Sequence, residues 1–159
     1  LADKQAIRME LQEAWQQVKG LVDSLSERDI EQPGVVEEWS VKDLLGHMAF
    51  WAQKGASDLR LLAAGRQNEI QTPGDALDVW NAREAASRKE KPPAEARAEW
   101  EASFEDALRA LDETPSALLD VEVKGWPQLT RFLEDTTRHY NEHAGHIRAW
   151  LSSVETTEA

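Results

Sequence analysis

Three of the chain's four histidines fall in one stretch, "RHYNEHAGHIRAW" at residues 138–150, and two of them, His139 and His143, stand four apart. Side chains four apart on a helix are neighbours. Two such imidazoles can therefore take adjacent positions on one metal ion, at about 2.0–2.1 Å from zinc. Burying the pair with neither a metal nor hydrogen-bond partners is costly. Three roles are open to His146, three residues further on: a further ligand, a general base or a rim residue. Its place at the margin of the same face favours the rim or a supporting position behind a ligand. The remaining histidine, His47, lies far upstream in "EWSVKDLLGHMAFW".

The elements that must bring these residues together are helical. Residues 3–25 carry Ile7, Leu11, Val18, Leu21, Val22 and Leu25 on one stripe, with Trp15 among them, and form a first amphipathic helix. A connection containing Pro33 and Gly34 follows. Ser40 then caps a second helix, with Asp43 as its capping-box partner, running to about Ala64 and ending at Gly65. A polar loop, "RQNEIQTPG", leads into helical sequence at 75–90, which Pro92 and Pro93 interrupt. Pro93 suits the first turn of a helix reaching about Leu111. Pro115 and "VEVKGWPQ" form the last connection, with room for a short extended piece, and a final helix runs from Pro127 to about Leu151. No strand pattern of useful length appears. The expected fold is an all-α four-helix bundle in one domain, residues 1–152, with a polar tail at 153–159 that frays.

At 100° per residue, His139 and His143 share a face of the last helix with Leu129, Phe132, Thr136, Ile147 and Trp150, and His47 shares a face of the second helix with Leu44, Met48, Trp51, Gly55 and Leu62. All three histidines point inward. His47 is near the start of its helix and the pair is in the second half of theirs, so they share a level only if those helices are antiparallel. An up-down-down-up bundle satisfies this, with a long, partly helical crossover between its second and third helices.

Composition narrows the chemistry. The 159 residues, 41% of them hydrophobic and seven of them tryptophan, suffice for one core. There is no cysteine, so disulfides, thiolate nucleophiles and cysteine-bound zinc are excluded. A net charge of -12 with no basic patch argues against a nucleic-acid partner. No run approaches the ~20 apolar residues of a membrane span, and "LADKQAIRME" lacks a signal-peptide pattern, so a soluble, cytoplasmic protein acting on a small molecule is expected.

"EWSVKDLLGHMAFW" and "HYNEHAGHIRAW" resemble the DinB/YfiT-like superfamily of metal-dependent enzymes, in which a Trp-Ser-x-x-Asp-x-x-x-His segment opens helix two and a His-x-x-x-His segment sits on helix four. The resemblance covers most of the chain in order and spacing. It implies His47, His139 and His143 as ligands of a divalent ion, zinc or nickel, and it implies chemistry in some members that uses a low-molecular-weight thiol such as bacillithiol or mycothiol. Two positions depart from the family's Arg-Gly-Gln-Ile run, Ala144 in place of Arg and His146 in place of Gln. "DVWNAREAASRK", with Trp80 and Asn81, is also similar to the DfsB/ClbS-type branch.

Three neutral ligands leave an open position on a metal, the arrangement of catalytic sites, where a metal-bound water or thiol is the nucleophile. The expected function is that of a metal-dependent hydrolase or thiol transferase. Two other readings stand beside it: a non-catalytic binding or self-protection protein of DfsB/ClbS type, and a structural bundle without metal that forms homodimers. Asp43 and Asp135 are candidates to orient a ligand imidazole, although a cap and a surface carboxylate are the plainer roles. Trp51 suits a pocket wall or packing, Trp15 and Trp150 suit the core, and Arg138 and Arg148 either meet an anionic substrate or lie on the solvated face.

Overall fold

A computed structural model describes residues 2–158. The helix α1, Lys4–Asp23, is capped by the Asp3 carboxylate, which accepts from the Ala6 N–H at 3.2 Å. After the single turn α2, Glu27–Ile30, comes the long α3, Val41–Ala63. Its capping box is complete. The Ser40 hydroxyl accepts from the Asp43 N–H at 3.1 Å, and the Asp43 carboxylate accepts from the Ser40 N–H at 2.9 Å.

The crossover contains 3₁₀ turns at Gln67–Glu69 and Gly74–Ala76 and a helix of its own, α4, Leu77–Arg88. α5, Pro93–Glu113, begins on its proline, and the turn α6, Ser116–Leu119, leads into a hairpin of β1, Glu122–Val123, and β2, Trp126–Pro127. Both hairpin turn residues, Lys124 at φ 52° and Gly125 at φ 81°, are left-handed, as a tight two-residue hairpin requires.

The last helix is interrupted. α7, Gln128–Leu133, passes through a π turn at Glu134–Arg138 into α8, His139–Glu158. Far from ending near Leu151, the helix continues through residues 153–158 expected to fray; the Thr156 and Thr157 hydroxyls bond to the carbonyls of Ser152 and Ser153.

Cross-helix pairs fix the direction of each element. Lys42 donates to the carbonyls of Lys89 and Lys91, Gln53 meets Glu99 and Arg60 meets Asp106, so α3 and α5 run parallel. Lys4 reaches the Asp112 carbonyl while Arg97 pairs with Asp23, so α1 opposes α5. Gly55 faces Phe132 and Asp135 while His47 faces His143, so α3 opposes the last helix. The result is the expected up-down-down-up bundle.

Its core centres on Trp15, stacked on Trp100 at 5.0 Å and on Phe104 at 4.2 Å, with Tyr140 edge-on to Phe104. These rings join α1, α5 and α8. Trp150 is only partly buried, at the margin of this core. Trp100 is fully buried, so Trp100→Ala is expected to lower the unfolding free energy by about 3–5 kcal/mol, read from the urea midpoint at unchanged m-value.

Two features were not anticipated. The crossover helix α4 buries none of its residues. It is held by Arg88, which pairs with Glu99 of α5, and by Trp80, which stacks on Trp51 of α3. The π turn changes the phase of the last helix. A uniform 100° step puts Thr137 about 140° around the helix from Phe132, whereas Thr136 and Thr137 are both buried and Tyr140 is fully enclosed. The Thr136 hydroxyl takes the Phe132 carbonyl at 2.6 Å where the regular ladder breaks.

Candidate metal centre

The antiparallel contact of α3 with the last helix brings His47, His139 and His143 together: one ring nitrogen of each lies within 4.8 Å of the others. The His47 ring centroid is 4.6 Å from that of His139 and 5.3 Å from that of His143. Each residue is placed by its helix. His47 stands on the second turn of α3, after the Ser40 cap has fixed the start, and the edge of Trp39 packs against it at 5.0 Å. His139 is the first residue after the π turn, and His143 follows one α-helical turn later. Only His143 is buried outright. His47 and His139 are half-buried in the wall of a cleft of about 270 Å³, completed by Trp51, Leu77, Asn81, Glu134, Asp135 and Glu142. The cluster thus sits beside the apolar core, not inside it.

Burial sets the protonation of all three. It pulls His47 down to about 4 and His139 well below the ordinary imidazole range. Burial, reinforced by His47 and His146, takes His143 to about 3. At neutral pH the rings are uncharged and each offers a lone pair. His139 Nδ1 and His143 Nε2 are buried with no hydrogen-bond partner, a combination that disfavours the fold unless something else binds there. Three convergent neutral imidazoles, two with orphaned nitrogens, fit a divalent cation of the kind that prefers nitrogen ligands.

His146 finds a definite place. Its Nδ1 lies 3.1 Å from His143 Nδ1, on the side of the His143 ring away from the orphaned Nε2. A proton on His143 Nδ1, donated to His146, frees Nε2 for coordination, which is how a ligand imidazole is oriented from behind. His146 is outside the set of converging nitrogens.

Of the weaker candidates, Asp43 only caps α3. Asp135 does reach the cleft, and burial raises its carboxyl to about 8. Trp51 forms the wall, donating from Nε1 to Asn81 Oδ1 at 2.9 Å. Arg138 pairs with the exposed Glu134 and Arg148 reaches Gln17 on the surface, so neither meets the cleft. Trp15 belongs to the core. Leu77, Glu134 and Glu142 have no sequence signal: they belong to no histidine-bearing face. Asn81→Ala leaves the Trp51 N–H without its acceptor and is expected to cost about 1 kcal/mol of stability, visible as a lowered denaturation midpoint and altered tryptophan emission.

Among the described residues, no helix is long and apolar enough to cross a membrane. The structure is similar to that of an uncharacterised protein from Escherichia coli UTI89, at a TM-score of 0.82 and 13% identity over 96% of this chain and 94% of that one, a likeness of fold. No curated protein matches the sequence. The family described as the mycothiol maleylpyruvate isomerase N-terminal domain matches residues 11–148, which include all four histidines and every residue that lines the cleft. With that match across most of its length, the chain belongs to the mycothiol maleylpyruvate isomerase N-terminal domain family, within the DinB-like superfamily.

Proposed function

We propose that this protein is a metal-dependent enzyme in which His47, His139 and His143 hold a divalent ion, zinc or nickel, and the reaction uses an external thiol. The observation that carries the reading is the convergence of one ring nitrogen from each of three neutral imidazoles at the wall of an open cleft. The thiol is supported by the family's name and by the absence of any cysteine in the chain. A divalent ion held there supplies Lewis acidity, favouring the thiolate form of a thiol that reaches it.

The chain's own groups do the rest. His146 holds the His143 ring in one orientation. The Trp51 indole, fixed by Asn81 and Trp80, walls the cleft and excludes water from one side. Asp135, with its carboxyl raised to about 8, is mostly protonated at neutral pH and holds a proton that it can return to a substrate atom.

The test is a titration of cobalt-substituted protein with mycothiol and with bacillithiol. A new near-ultraviolet thiolate-to-cobalt absorption, together with thiol-dependent consumption of an electrophile, is expected. Turnover of simple esters or amides without any thiol would instead establish a hydrolase, and compound binding without consumption would establish the self-protection role. His146→Ala is expected to weaken metal affinity by about 10–100-fold while leaving the fold intact, measured by competition with a chromophoric chelator.

A further inference from the structure

A second cavity, of about 220 Å³, adjoins the histidine cleft and shares Trp51, Leu77, Glu134 and Asp135 with it. The two spaces meet along these four side chains. In the second lobe, Trp51, Leu77, Pro73 and the half-exposed Trp126 provide apolar walls, Lys54, Asp58, Arg131 and Glu134 provide charge, and the Asp135 carboxyl stands beside them.

The pairing of those charges is uneven. Lys54 is committed to Asp58 at 2.5 Å, and Glu134 on the rim pairs with Arg138. Arg131 forms no ion pair within 4 Å among the described residues, although its charge acts on the nearby Asp58 and Asp135 carboxyls. Its Nε is buried without a partner, and its one hydrogen bond, from Nη2 to the Val123 carbonyl, is long at 3.4 Å. A guanidinium carries five N–H donors in a planar fork matched to a carboxylate, so a partly buried arginine with a single weak acceptor is an incomplete recognition element.

We propose that this second lobe is a carboxylate subsite: Arg131 binds the carboxylate of the ligand whose other end reaches the histidine cluster, and Trp51 and Trp126 hold the apolar part between them. The inference rests on the functional reading above for what happens at the histidines, but not for the lobe itself. A ligand that reaches both spaces past their common rim is a two-ended organic acid, whether that acid is the electrophilic substrate or a carboxylate-bearing arm of the thiol.

Metal-free protein separates the two claims, because no ion is then present to attract a carboxylate. The probes are phenylacetate, its neutral isostere phenylacetamide and the cation phenethylamine, followed by tryptophan fluorescence and by magnetisation transfer from the Trp126 indole protons to the probe. Phenylacetate is expected to bind about tenfold or more tighter than phenylacetamide, since one charged hydrogen-bonded contact is at stake. Arg131→Gln is expected to abolish that preference. Equal binding of acid and amide, tighter binding of the amine, or acid binding with no transfer from Trp126 overturns the subsite. Because the first comparison uses the native chain, it stands even if Arg131→Gln fails to fold. Loss of metal binding with the phenylacetate preference retained would remove the enzymatic reading and leave the subsite standing. If metal binds and mycothiol and the electrophile react in metal-loaded protein, selective competition by phenylacetate against the electrophile assigns the lobe to the substrate; competition against mycothiol assigns it to the thiol.

Discussion

Replacing His143 is expected to change metal affinity and metal-free stability in opposite directions. His143→Leu keeps the volume roughly constant and deletes both ring nitrogens. Removal of a ligand should weaken divalent binding by more than the ~10–100-fold that loss of a supporting partner costs. The metal-free protein should nevertheless become more stable, by about 1–3 kcal/mol, because Nε2 is a buried polar atom with no partner and its desolvation goes unrecovered. The hydrogen bond to His146 at 3.1 Å is lost in exchange and offsets part of that gain. Chelator competition and urea denaturation on the same preparations check both signs. A variant destabilised without metal would identify His143 as a packing residue, and one that keeps native affinity would remove it from the ligand set.

The metal-free protein should also have a stability maximum close to pH 6–7. His47 and His143 have folded pKa values of about 4 and about 3, and that of His139 is also far down, against an ordinary value of 6.5. Between these limits the unfolded chain binds more protons than the folded one. Stability is therefore lost as pH falls from 6.5 towards 4, each histidine contributing up to about 1.4 kcal/mol per pH unit. Asp135 acts in the opposite sense. With its carboxyl raised from 3.8 to about 8, the folded state holds the extra proton, so stability is lost as pH rises through that interval. Below pH 6.5 three histidines outweigh one aspartate; between 6.5 and 8 the aspartate acts alone. A bound divalent ion adds a further loss at low pH, since protons then compete for its ligands. Thermal melts across pH 4–9, with and without a chelator, read the profile directly. A metal-free curve that is flat from pH 4 to 6.5 would mean the imidazoles are not desolvated as described.

Much of this was legible in the sequence because it rests on local rules. Ser40 and Asp43 mark the start of α3 by a capping box, Pro93 marks the start of α5, and the 3.6-residue period puts His47 and His143 on inward faces. The antiparallel register of α3 with the last helix follows from asking the histidines to share a level. The π turn at Glu134–Arg138 was not legible: an extra residue in a helical turn has no compositional mark, and it buries the neighbours Thr136 and Thr137 together, which a regular helix would not. Nor was the position of α4, a helix with no fully buried residue, placed by contacts such as Trp51 with Asn81. The second lobe was hidden for a third reason. Lys54, Pro73, Trp126 and Arg131 come from four separate segments and meet only in the folded chain.

The central claim, a three-histidine metal centre, is tested most directly by counting ions. Protein purified without chelators, then offered zinc and nickel in turn and freed of excess, is analysed for metal per chain alongside His47→Ala and His143→Ala. One divalent ion per native chain, lost from both variants at unchanged helical content, is predicted. A folded native chain that retains no ion, or variants that retain it in full, would contradict the account.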